Sequence, residues 1–209
     1  LDAKTTLHNA TIQKSLRMMN SKQLGAFDVN RAPARTREAF GDTPFGRGCL
    51  AAIQLISTGV RCVEVTLQGW DTHANNHESH TRQNAILDPA FAALIHELRA
   101  RKMLEETIVI CAGEFGRTPK INAASGRDHW PTGFSLALAG GGFKGGHVHG
   151  ATDPTGISKE PQNPIRIADI HSTVLSALGI EFEKEMMTPI GRPMALSKGN
   201  VIKSLLKNV

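Results

Sequence analysis

Apolar residues recur along this chain at helical and at strand-like spacings in turn. Leu7, Ala10, Leu16, Met19 and Leu24 fall at mostly helical intervals, which predicts a helix over residues 1–24. Residues 30–44 are polar and are interrupted by Pro33, Gly41 and Pro44, the signature of a loop holding at most a short helix. A second helix is expected over residues 45–58, burying Leu50, Ile53 and Ile56, with Gly59 placed to cap it. Residues 60–67 are few and rich in β-branched side chains, as in a buried strand. The next long stretch carries Phe91, Leu94, Ile95 and Leu98 on one helical face. Pro89 is expected to start or kink that helix, because its ring suits a first turn and not an interior. Residues 107–112 and 134–139 give two further strands, and residues 165–178 a last helix closed by Gly179.

Alternating helices and strands argue for an α/β fold with a largely parallel sheet flanked by helices. In such sheets ligands bind beyond the carboxyl ends of the strands. The polar clusters obey that rule: Gly69-Trp-Asp-Thr-His73 follows the first strand and Gly113-Glu-Phe-Gly-Arg-Thr118 the second. Gly126-Arg-Asp-His-Trp130 lies between the second and third.

Composition narrows the classes. The 209 residues suffice for one domain, which would bury about 70% of its unfolded surface. No run approaches the roughly 18 apolar residues of a membrane span. The net charge of +5 is scattered, with no basic run and few aromatics, so nucleic acid is not an expected partner. A mild positive field suits a small anionic substrate, and a solvated basic surface is the commoner account of it. Cys49, Cys62 and Cys111 form no CxxC and sit in apolar runs, as buried free thiols do. The chain begins at Leu1 with no charged-then-apolar leader, and reads as a piece of something longer.

Asp71 and His73, with His77 and His80 behind them, offer carboxylate and imidazole ligands suited to zinc and similar divalent ions. A solvated loop of His and Asn accounts for the same residues. Were residues 73–80 helical, the three histidines would share a face. Glu114 can bind metal or act as a base, and Arg117 can fork onto an anionic oxygen; a surface ion pair between them is the alternative. At Asp128-His129, either His129 binds metal with Asp128 orienting it, or the two form a loop hydrogen bond. Gly140-x-Gly142-x-x-Gly145 matches the dinucleotide fingerprint, but no helix is expected after it, so that reading is rejected. His147 and His149 read as a loop edge, and His171 as a packing or capping residue.

Taken together, residues 69–73, 113–119, 126–131 and 168–175 resemble, in identity and order, the domain of unknown function 1501 family. These are exported bacterial proteins placed in the sulfatase/alkaline-phosphatase superfamily. The resemblance implies that residues 1–209 are the C-terminal part of one alkaline-phosphatase-like domain, incomplete at the N-terminus, with a periplasmic or otherwise extracytoplasmic location. It implies a divalent metal (zinc, calcium or manganese) at Asp71, His73, Glu114 and His129, with Arg117 or Arg127 gripping a phosphate or sulfate ester. Phe115 stands where the superfamily has a histidine ligand, and Asp169 to Leu175 match its Asp-Leu-x-Pro-Thr-Leu-Leu helix. The nucleophile and one more Asp ligand are expected upstream, so the isolated chain is expected to leave nitrophenyl phosphate and nitrophenyl sulfate intact. A non-catalytic binding or scaffold protein on the same fold is the alternative, which Phe115 favours.

Overall fold

A computed structural model of the chain describes residues 7–19, 21–156, 160–188 and 190–207. They form two compact units, Leu1–Trp70 with Glu78–Glu97, and Asp71–His77 with Leu98–Val209.

The first unit is helical. Of the helix expected over residues 1–24, α1 spans Leu7–Met19 and residues 1–6 and 20 lie outside the described residues. The chain then tightens into a 3-10 turn, Lys22–Phe27, which Ser21 starts by accepting from the Gln23 N–H at 3.1 Å. A short helix, α2 (Ala34–Phe40), fits inside the polar stretch, and α3 spans Pro44–Ser57. Local chemistry explains both ends of α3. Thr43 Oγ1 accepts from the Gly46 N–H at 3.0 Å, and Pro44 occupies the first turn, where its missing N–H costs nothing. At the other end Gly59 adopts a φ of 89°, and the Val60 N–H reaches back to the Leu55 carbonyl. The helix buries Cys49, Leu50, Ile53 and Leu55. Its first turn lies so close to α2 that a Cβ on Gly46 would stand 2.0 Å from the Phe40 carbonyl oxygen.

One expectation fails here, and one alternative of another. Residues 60–67 form no strand; Val63, Val65 and Leu67 are half-buried and alternate with exposed neighbours, including Cys62. The period-2 pattern is present, but among the described residues no segment pairs with it as a strand. Nor does Pro89 start a helix: α4 runs unbroken from Asn76 to Ala100 through it. Pro89 costs one backbone hydrogen bond, roughly 3 kcal/mol in an ordinary helix interior, yet buried Ala90 and Ala93 keep this stretch packed.

The second unit overturns the parallel sheet. Its strands form three separate two-stranded antiparallel pairs. β1 (Val109–Cys111) pairs with β4 (Ala137–Ala139), enclosing the pair of β2 (Gly116–Arg117) and β3 (His129–Trp130). β5 (Glu185–Met187) pairs with β6 (Pro193–Ala195). The reason is connectivity: parallel neighbours need a crossover, usually a helix, and no helix lies between β1 and β4. The intervening chain returns on itself as one nested hairpin.

Two further features complete this unit. Gly140, Gly141 and Gly142 all have positive φ and form a turn. Beyond it Phe143 is buried and bridges to Leu206, while the Lys144 and Lys207 N–H groups donate to Leu205 and Gly142. No helix begins between that turn and residue 156, as expected. The second is α5 (Ile167–Ala177), ended by Gly179 at a φ of 71°. Its Ser172 and Thr173 are fully buried (0% exposed). Ser172 Oγ donates to Ser197 Oγ, and Thr173 Oγ1 accepts from the Ile202 N–H at 2.9 Å while donating to the Asp169 carbonyl. Asp169 accepts from the Arg166 guanidinium and the Asn200 N–H, which hold its carboxyl well below the usual carboxylate range. The fourth sequence motif therefore docks the chain from Ser197 to Ile202, and His171 within it is exposed, neither packing nor capping. Thr173→Val keeps the shape but orphans the Ile202 donor, and is expected to lower stability by about 1–3 kcal/mol in urea unfolding.

No helix among the described residues is long and apolar enough to cross a membrane.

Candidate metal centre

The site is assembled from two loops of the second unit that zip together. Residues 72–76 run beside the loop of residues 122–127. The Asn75 and Asn76 N–H groups donate to the Ala124 and Ser125 carbonyls, and the Arg127 N–H donates to the Thr72 carbonyl at 3.0 Å. Asn122 ties the corner. Its Oδ1 accepts from the Ala124 and Gly126 N–H groups at 2.9 and 2.8 Å, an Asx turn, while its Nδ2 donates to the His73 carbonyl. Gly126 permits the approach, since a Cβ there would lie 1.9 Å from the His73 carbonyl oxygen.

This zipper delivers His73 to a cluster whose other members come from β2, β3 and the start of the first loop. His73 Nε2, His129 Nε2 and Asp71 Oδ1 form a triangle with sides of 3.2, 2.9 and 3.1 Å. Asp128 Oδ1 lies 2.8 Å from His73 Nδ1 and also accepts from Asn122 Nδ2 at 3.1 Å. An ionised carboxylate can only accept, so His73 carries its proton on Nδ1 and turns the Nε2 lone pair into the triangle. Hydrogen bonds from His73 and Asn122 hold the Asp128 carboxyl below its ordinary value. Asp71 is lowered to about 2, first by its hydrogen bond with His129 and then by Arg117. Both carboxylates are ionised at neutral pH. In the neutral ring, His73 Nε2 faces the Asp71 oxygen, another acceptor, and a proton or a metal cation between them relieves that opposition.

The donor spacing fits a small divalent ion. Zinc with bonds of about 2.0–2.1 Å to a tetrahedral set of ligands spaces them roughly 3.3 Å apart. The three side chains are about half exposed or more, which leaves the face opposite the protein open. Asp128 on His73 supplies the carboxylate–imidazole arrangement that orients a ligand histidine.

Not every residue nominated by sequence joins. Glu114 is exposed and stands outside the cluster. The Phe115 ring lies 4.3 Å from that of His129, and the Arg117 guanidinium sits 5.5 Å above Phe115. Arg117 Nη1 donates to Asp71 Oδ1 at 2.6 Å. Arg127 is spent on structure, donating to the Thr118 and Pro119 carbonyls. His77 and His80 lie in the first turns of α4 and are not members of the group of donors; His80 packs edge-on to Trp70. His149 bonds Ser204. Sequence reasoning missed Asn122, whose polar place two residues before Ala124 is the only local signal of its turn. It also assigned Asp128 to His129, whereas the structure pairs Asp128 with His73.

The fold and the site thus define a mixed helical protein with short antiparallel pairs and a three-donor carboxylate–imidazole cluster. The family model described as protein of unknown function (DUF1501) matches residues 1–206, and the chain belongs to that family. Neither the curated proteins nor the solved structures gave a match.

Proposed function

We propose that the cluster is a divalent-metal site with which the protein binds and hydrolyses small anionic esters of phosphoric or sulfuric acid. The observation that carries this reading is the triangle of Asp71, His73 and His129 donors, 2.9–3.2 Å apart, with Asp128 behind it. Two imidazoles and one carboxylate favour zinc over calcium, which takes six to eight oxygen ligands. A bound ion would supply charge that polarises an ester oxygen and offsets negative charge building on it. Asp71, His73 and His129 would hold it, Asp128 and Asn122 would keep His73 in register, and Arg117 would offer a planar fork to a substrate oxygen. The sulfatase/alkaline-phosphatase kinship and an extracytoplasmic location belong to this proposal.

The test uses the full-length protein, stripped with chelator and titrated with zinc by calorimetry, then assayed on nitrophenyl phosphate and nitrophenyl sulfate. One equivalent of zinc and zinc-dependent turnover are expected. Absence of zinc uptake overturns the metal site. Uptake without turnover on a broad ester panel favours the second reading, a binding or scaffold protein, for which Glu114 outside the cluster and Phe115 against His129 speak.

A further inference from the structure

We infer that Arg117 is an internal competitor for the metal: it holds Asp71 when no ion is bound and is released to an anion when one enters. Metal and anion would then bind cooperatively. This rests on the metal-site reading above.

The argument begins at one atom. Asp71 Oδ1 is approached by His73 Nε2 at 3.1 Å, His129 Nε2 at 2.9 Å and Arg117 Nη1 at 2.6 Å. The partners that hydrogen-bond it are His129 and Arg117, and a carboxylate oxygen has two lone pairs, so these two saturate it. A cation taking the triangle must claim one of those lone pairs and would share the oxygen with a guanidinium already there. Like charges so placed repel, and the exposed carboxylate offers only one negative charge between them. The guanidinium is the partner that can leave, because it is not part of the imidazole set that would bind the ion.

The surrounding residues direct its release. β2 and β3 pair with Arg117 opposite His129, so the Arg117 backbone is fixed beside a ligand. The Arg117 side chain is only 17% exposed, against 66% for Asp71. Its guanidinium lies over Phe115, which rests on the His129 ring. Arg117 can therefore break with Asp71 while staying on Phe115, next to the open side of the triangle. There it becomes an unpaired donor fork for a tetrahedral oxyanion.

The experiment measures zinc affinity of the full-length protein by competition with a chromophoric chelator, with and without millimolar sulfate. Arg117→Gln keeps a neutral donor and removes the charge, and is expected to bind zinc about tenfold more tightly. Arg117→Lys keeps the charge and should stay near wild type. Sulfate should tighten zinc binding in wild type and leave Arg117→Gln unchanged. Zinc-binding wild type whose affinity ignores sulfate overturns the inference without any variant. So does an Arg117→Gln protein that binds zinc no more tightly than wild type. Wild type that takes up no zinc overturns the underlying metal site instead.

Discussion

His129→Ala is expected to lower the zinc affinity of the full-length protein by about 1,000-fold. The change removes one of three donors, which should cost more than the roughly 10–100-fold typical of losing a partner behind a ligand. His129 lies directly opposite Arg117 in the β2–β3 pair, and its Nε2 closes two sides of the triangle. Asp71 and His73 alone would leave a two-ligand site. The same substitution spares the fold, because His129 is exposed and its strand pairing is made by the backbone. Competition titration beside a thermal melt separates the effects. A variant of unchanged melting temperature that still binds zinc within tenfold of wild type would show that the ion, if any, binds elsewhere.

Gly126→Ala should reach the same endpoint by a different route. Gly126 makes no contact with metal, yet its missing Cβ is what lets the two loops close. An added methyl would meet the His73 carbonyl oxygen at 1.9 Å and the Ala74 nitrogen at 2.5 Å, both backbone atoms. No rotamer relieves that clash, so the loop of residues 72–76 must move, carrying His73 away from Asp128 and Asp71. Overpacking of this kind costs about 1–3 kcal/mol of stability, and the lost preorganisation should weaken zinc binding about 100-fold. Chemical denaturation and zinc titration of the one variant check both numbers. A stable Gly126→Ala protein with wild-type zinc affinity would falsify the claim that this close approach builds the site.

These two residues mark the limit of what sequence reasoning reached. His129 was legible as a candidate, because an imidazole beside a carboxylate in a Gly-flanked loop is an unusual local chemistry. Gly126 read only as loop punctuation. Its importance lies in a carbonyl more than fifty positions away, and no local pattern encodes that distance. Glu114 suited a ligand by residue type, yet it is exposed and is not a member of the Asp71–His73–His129 group.

The helix ends show where local chemistry suffices. Thr43-Pro44 opens α3, and Gly59 and Gly179 close α3 and α5, because capping uses groups within a few residues of each other. The strands show where it does not. Residues 109–111 and 137–139 lie within the segments expected to be strands, but their antiparallel pairing depends on how the chain between them returns. Residues 60–67 carry the alternation of a strand and found no strand partner among the described residues. By itself the sequence determined the helices, the turns and the chemical candidates, each set by side chains acting on nearby backbone. The tertiary structure decided which strands pair, which carboxylate serves which histidine, and that Asp71, His73 and His129 share one point. Those outcomes depend on loop closure between distant residues, whose favourable contacts exist only once the chain has folded.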